Sequence, residues 1–261
     1  MTDERQAVVY TNNASNGVSL VTINRPERRN ALNLEVKDKL SNILQALEQD
    51  SSVRVIVLTG TQKCFVAGTD LNELVDMKAI DHTLLVTDRV FSVLRRCTKP
   101  VIAAVEGYAL GGGCELALAC DIVISGETAR FGLPEIKVGV MPGAGGTQRL
   151  LRTIGKYLTM RYVLTGDPIM ARDGFSMGFV SELTKDGDAL QTALELAQKI
   201  AAMPPLATKA IKEVVQTGGD ASLDTALMLE RRAFQLLFDT NDQTEGMRAF
   251  LEKREPNFLG H

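Results

Sequence analysis

The stretch KPVIAAVEGYALGGGCELALACDIVIS, residues 99–125, decides how the chain is read. Its first part, KPVIAAVEG, is a nearly continuous apolar run closed by glycine, as expected of a strand covered on both faces. Glycines follow, then a run of small apolar residues with helical character, then a second short apolar run, DIVIS. Strand, helix and strand in close succession predict an α/β core. One residue stands out. Between positions 114 and 120 only Cys, Leu and Ala occur, except for Glu115.

The same alternation extends outward. QAVVY and GVSLVTINRP read as strands, the second stopped by Pro26. Residues 33–50 form a helix, because Leu40, Ile43, Leu44 and Leu47 fall on one stripe. VRVIVLTG is another buried strand. TQKCFVAGTD is a loop, and helical stretches run from there to about Cys97. From Gly146 onward the spacing is helical almost throughout, which predicts a tail of about a hundred residues packed on the core or on another subunit. No internal repeat and no low-complexity tract interrupts the 261 residues. The expected division is a core over 1–200 and a helical region over 201–261.

Composition narrows the function. With 45% hydrophobic and 23% charged residues and a net charge of −3, the chain is an ordinary globular one without the basic excess of a nucleic-acid binder. No apolar run reaches the roughly 18 residues that span a bilayer, and the start, MTDERQAVVY, has no targeting pattern. The expected location is cytoplasmic, with no nucleic-acid or membrane partner. Four cysteines (Cys64, Cys97, Cys114, Cys120) lack any CxxC spacing, so they predict neither zinc nor disulfides. His82 and His261 are the two histidines, and no G-x-S-x-G elbow serves either, which argues against triad chemistry.

Glycines cluster in AGTD (67–70), LGGGCE (110–115) and MPGAGGTQR (141–149). They match neither a dinucleotide fingerprint nor a P-loop. Glycine lets the main chain approach a ligand, and the free N–H groups of a helix's first turn suit a developing negative charge. Tight helix-to-strand packing is the alternative. Glu115 could simply favour a helix dipole. Its apolar surroundings point instead to a buried carboxyl with a raised pKa, as general acid–base chemistry requires. Glu135, in FGLPEIKVG, is a second carboxyl flanked by glycines. Two such groups could share one water and one substrate.

Taken together, RPERRNAL (25–32), FVAGTDLNEL (65–74), KPVIAAVEGYALGGGCELALACD (99–121), ARFGLPEIKVGVMPGAGGTQRL (129–150) and EGMRAFLEKREPNFLGH (245–261) resemble the crotonase, or enoyl-CoA hydratase/isomerase, superfamily. The resemblance covers essentially the whole chain. It implies a spiral of ββα repeats with a C-terminal helical region that builds trimers, commonly stacked in pairs. It implies an oxyanion hole from the backbone N–H groups of Thr69 and Gly112, with Glu115 and Glu135 as the catalytic carboxyls. Most relatives carry Ala where Thr69 stands. The amide donor survives that change, while the side chain could narrow the pocket or add a hydroxyl.

Keeping both carboxyls favours hydration of a trans-2-enoyl-CoA over isomerisation. CoA is then part of the substrate, and no metal or separate cofactor is implied. Candidate contacts to substrate are Arg28, Arg29, Ala67 through its backbone, Asp70, Leu71, Phe234, Phe250 and Lys253. Solvated arginines and plain core packing of the two phenylalanines remain the alternatives. Within the superfamily, ARFGLPEIKVGVMPGAGGTQRLLRTIGK resembles a 2,3-dehydroadipyl-CoA hydratase as well as it does a short-chain enzyme. An enoyl-CoA isomerase and a carnitinyl-CoA dehydratase use the same anion-stabilising frame. A non-catalytic, RNA-binding member of the fold is disfavoured by the two carboxyls and the net negative charge.

Overall fold

A computed structural model describes residues 9–14, 16–61 and 64–261. The predicted strand QAVVY lies outside these residues up to position 8; the first described strand, β1, is Val9–Ala14. It pairs antiparallel with β2 (Val18–Ile23). All further neighbours in this sheet are parallel: β3 (Val55–Gly60), β4 (Val101–Val105), β6 (Ile122–Gly126) and β9 (Glu182–Thr184), giving the order β1-β2-β3-β4-β6-β9. A second, smaller sheet holds β5 (Tyr108–Leu110), β7 (Arg130–Gly132) and β8 (Ile169–Met170), and an isolated bridge from Val66 to Ala109 extends it.

The two sheets explain the spiral. Each turn of chain lays one strand in the large sheet, one in the small sheet, and then turns into helix. The first turn runs from β3 through the Val66 bridge to the helices α2 (Leu71–Leu74), α3 (Ala79–Leu84) and α4 (Arg89–Arg96). The next is β4, β5 and α5 (Gly112–Ala119), and the third is β6, β7 and α6 (Gly146–Thr165). The small-sheet strands are three residues or fewer, too short to show a period of their own.

Strand β3 shows why the large sheet is apolar throughout. Ile56 and Leu58 face one core with α1 (Leu34–Gln49) and α4, while Val55 and Val57 face another. That second core is closed by α8 (Ala189–Ala201), whose Ala189, Ala193, Ala197 and Ala201 recur every fourth residue and let the helix lie close to the sheet. The helix over 33–50 is present as α1, with the Asn33 side chain accepting from the Val36 amide as its N-cap.

The tail begins later than its helical spacing implied. Strand β8, helix α7 (Ala171–Met177) and strand β9 lie inside the stretch expected to be almost wholly helical, and β9 completes the large sheet. After α8 come α9 (Pro205–Gly218), α10 (Leu223–Leu237) and α11 (Asn241–Glu252). The tail is tied to the core by two basic residues. Lys212 Nζ bonds Asp121 Oδ2 at 2.6 Å and the Lys99 carbonyl at 2.8 Å. Arg54 reaches the carbonyls of Ala201 and Phe258 at 3.0 and 2.9 Å. Among the described residues no helix is long and apolar enough to cross a membrane.

Candidate active site

The site forms where two helix N-termini meet. Strand β5 ends at Leu110, and Gly111 turns the chain with a φ of +51° that L side chains rarely adopt. Its amide is anchored to the Gly132 carbonyl at 2.8 Å. Helix α5 starts at Gly112, pressed against the Val66 segment. A Cβ on Gly113 would lie 2.2 Å from the Val66 carbonyl oxygen, so no side chain fits there. The volume a Cβ on Gly112 would fill is bordered by Thr69 Oγ1 at 2.7 Å, Leu32 Cδ1 at 3.6 Å and Thr69 N at 3.7 Å.

The Thr69 amide is aimed by its neighbours. Leu32 donates to the Gly68 carbonyl at 2.8 Å and accepts from the Asp70 amide at 3.0 Å. In a parallel bridge those flanking bonds turn the N–H of the residue between them to the opposite side. Thr69 N therefore faces Gly112. Neither amide is engaged by an acceptor among the described residues. Gly112 is the first residue of α5, where N–H groups have no partner within the helix.

Glu115, only 3% exposed, projects from α5 onto the start of α6. Its Oε1 accepts from the amides of Ala144 at 2.7 Å and Gly146 at 2.9 Å. Gly146 must lack a side chain here, since a Cβ would meet Glu115 Cγ at 2.9 Å. Both bonds reach one oxygen, leaving Oε2 outside the clamp. Burial raises the Glu115 pKa, and the two amides, Arg149 and Lys37 oppose that rise.

Glu135 sits on a short 3-10 turn, Pro134–Val138, that leads from β7 toward α6. Its Oε1 lies 3.0 Å from the point a Cβ on Gly111 would occupy, so the carboxyl leans on the residue that opens α5. Its Oε2 is buried with no hydrogen-bond partner. Burial, then the nearby charge of Glu115, pushes its pKa up to about 7. One carboxyl thus has an oxygen held by two donors, and the other has a buried oxygen with none.

The remaining expected contacts divide. Arg28 and Arg29 are exposed on the turn that opens with Pro26, and the Arg29 carbonyl accepts from the Ala67 amide at 3.0 Å. Asp70 is turned away from the carboxyl pair. Its Oδ2 bonds Arg25 Nη1 at 2.7 Å and its Oδ1 accepts from the Asn72 amide at 3.1 Å, so it braces the Thr69 loop. Leu71 begins α2 and is half exposed. Phe234 packs edge-on to Phe238 at 5.0 Å, with Arg231 over its ring at 5.4 Å. Phe250 is almost fully exposed on α11, and Lys253 caps that helix in a left-handed conformation. None of these last three is among the contacts that define the carboxyl pair.

Several supporting residues carry no sequence signal that singles them out. Asn30, buried at φ +59°, accepts from the Arg25 amide and donates to the carbonyls of Thr61 and Cys64. Arg149 bonds the Ala144 carbonyl at 2.8 Å. Lys37 is buried on the core side of α1. The four cysteines are free thiols, and burial pushes Cys97 and Cys114 up to about 12, which leaves them unreactive. His82 is exposed beside Thr87. Among the described residues no group of three or more His, Cys, Asp or Glu is placed to hold a metal ion.

Two sheets wound as a spiral, with a carboxyl pair between paired helix starts, define a family. The model of the enoyl-CoA hydratase/isomerase family matches residues 13–261, and the chain belongs to that family. The 2,3-dehydroadipyl-CoA hydratase of Escherichia coli K12 is 48% identical over 244 residues, covering 93% of this chain and 95% of the relative. The mitochondrial enoyl-CoA hydratase of Pongo abelii is 44% identical, over 94% of this chain and 84% of its own. The crystal structure of an enoyl-CoA hydratase from Bacillus anthracis superposes with a TM-score of 0.94 at 36% identity, covering 98% of this chain and 100% of the other.

Proposed function

We propose that the protein is an enoyl-CoA hydratase, a hydro-lyase that adds water reversibly to a trans-2-enoyl-CoA and yields a 3-hydroxyacyl-CoA. The observation that carries this reading is the opposed surroundings of Glu115 and Glu135. Two carboxyls whose environments separate their proton affinities divide into a base and an acid. Glu115, clamped by two amides at the start of α6, holds the negative charge. Glu135, with an orphaned buried oxygen and a pKa near 7, holds the proton.

The thioester oxygen of the substrate lies between the Thr69 and Gly112 amides. Water bonds to Cβ and gives one proton to Glu115. The π electrons move onto the thioester oxygen, where the two amides and the α5 N-terminus stabilise the enolate-like charge; one such donor is worth about 10²–10³ in rate. Glu135 then protonates Cα and the carbonyl re-forms. The substrate has gained H and OH, and a proton passing from Glu115 to Glu135 through solvent resets the pair. These steps call on no metal and no separate cofactor, because CoA arrives with the substrate.

We assign Arg28 and Arg29, both exposed, and the main chain of Ala67 to contacts with the CoA phosphates and adenine. The tail completes the picture in a second copy of the chain. Helix α10 buries none of its residues, and it exposes Leu223, Leu227, Phe234 and Leu236, with Phe238 exposed at its C-cap. We assign this face to self-association into a trimer, which brings Phe250 and Lys253 toward a neighbour's site. The free thiols agree with a reducing cytoplasm.

The first reading fits fatty-acid β-oxidation; a second follows from the name of the Escherichia coli relative, an enoyl-CoA ending in a second carboxylate, as in phenylacetate-type β-oxidation. Hydration of crotonyl-, decenoyl- and 2,3-dehydroadipyl-CoA, followed by loss of the conjugated chromophore, tests reaction and chain preference together. Glu115→Gln and Glu135→Gln each lose about 10²–10⁴-fold in kcat while binding a saturated acyl-CoA normally. Full activity in either variant removes the two-carboxyl assignment.

A further inference from the structure

The Thr69 side chain occupies a place that the proposed reaction leaves unexplained. Its hydroxyl oxygen stands 2.7 Å from the Cβ point of Gly112, and its own amide nitrogen borders the same volume at 3.7 Å. The third wall is a methyl of Leu32 at 3.6 Å. Amide nitrogen and hydroxyl oxygen of one residue therefore both border Gly112 on the side where a side chain would stand. The hydroxyl makes no hydrogen bond among the described residues. Branching at Cβ restricts threonine about χ1, so the hydroxyl has few positions to choose from.

We infer that the Thr69 hydroxyl is a third donor to the thioester oxygen, acting beside the two main-chain amides. A hydroxyl carries one O–H and rotates it toward whichever acceptor is present. In this space the acceptor is the oxygen that gains charge when water adds to Cβ. The Leu32 methyl supplies an apolar wall beside these donors, and a low local dielectric strengthens a bond to developing charge. The inference rests on the hydratase reading for what occupies the space, and it adds a side-chain contact that the reading does not need.

The experiment separates hydroxyl from bulk. Thr69→Val keeps the branched shape and removes the donor, Thr69→Ser keeps the donor and removes the methyl, and Thr69→Ala removes both. Valine and alanine lose about tenfold or more in kcat with little change in KM, and serine recovers most of that loss. A second readout needs no turnover. The carbonyl stretch of bound butyryl-CoA, measured by infrared difference, moves to lower frequency with each donor. It lies higher in the valine and alanine variants than in wild type and serine. Valine or alanine variants with wild-type or faster turnover and an unshifted carbonyl overturn the inference. A hydroxyl-dependent carbonyl shift in a protein that hydrates no enoyl-CoA supports it and removes the hydratase reading instead.

Discussion

Arg149 and Glu115 hold the same residue from opposite ends. Ala144 gives its amide N–H to Glu115 at 2.7 Å and its carbonyl to Arg149 at 2.8 Å. The guanidinium thus fixes the segment that clamps the carboxylate without touching the carboxylate itself. Its Nη1 lies 2.2 Å from the point a Cβ on Gly145 would take, so the cation also requires the glycine at φ +100°.

Arg149 is therefore a positioning residue. Arg149→Met frees the Ala144 carbonyl and loosens the donor pair on Glu115, with an expected loss of about tenfold in kcat, the worth of one charge-assisted hydrogen bond. KM for the enoyl-CoA stays close to wild type. Arg149→Lys keeps charge and restores part of the rate. A loss confined to KM, measured by steady-state hydration, contradicts the assignment.

In the mechanism proposed above, the carboxyl pair sets the pH dependence. Hydration needs Glu115 ionised and Glu135 protonated, and dehydration needs the reverse placement of the same single proton. Both directions therefore use the singly protonated pair. The kcat/KM profiles for hydration and dehydration should be bell-shaped and superimposable. Their alkaline limb reflects loss of the proton that Glu135 holds with a pKa near 7. Profiles that slope in opposite senses for the two directions rule out a shared proton.

The same proton links to stability. The folded pKa of Glu135, about 7, lies above its ordinary value of 4.5, so the folded state binds this proton more tightly than the unfolded one. Its stabilising effect is complete below pH 4.5 and is lost as pH rises through 7. Glu135→Gln imitates the protonated form. Its Tm should exceed that of wild type at pH 8 and approach it at pH 5, as read by thermal unfolding at both values. An equal gap at both pH values would contradict the linkage.

Lys212 and Asp121 join the tail to the large sheet through side chains only 7% and 18% exposed. Asp121 also accepts from the Val101 amide at 2.7 Å and from Gln216 at 2.8 Å. Lys212→Met leaves that carboxylate without its cation and frees the Lys99 carbonyl. Because Asp121 is partly open to solvent and keeps two other donors, removing the lysine costs about 1–3 kcal/mol. Urea unfolding should show a lowered midpoint, with Asp121→Asn comparably affected. An unchanged midpoint in both variants would mean that apolar packing alone holds the tail.

The sequence carries the large sheet clearly, because strands buried on both faces, such as VRVIVLTG and KPVIAAVEG, leave continuous apolar runs. It carries the tail helices equally well: residues 205–218, read as helical from their spacing, are α9. It hides the small sheet, whose strands of two or three residues fall below any period. Glu115 is legible as a carboxyl in an apolar run, and Glu135 through its glycine frame. Asp70 is not, since nothing in FVAGTDLNEL tells that its charge is already committed to Arg25, forty-five positions away. Arg149 is equally silent, because its partner is a main-chain carbonyl and leaves no complementary letter.

Helix α10 has no buried residue of its own, and the self-association proposed for it would make one part of this chain's folding a matter of reaction order. The two-sheet spiral encloses its cores within one molecule, so its formation after dilution from denaturant is first order. In the self-association proposed above, the final docking of α10 requires chains to collide, so its half-time should shorten as their concentration rises. On that proposal, a species with finished sheets and an uncovered oily arm lies between those events, and it lasts until it meets another copy.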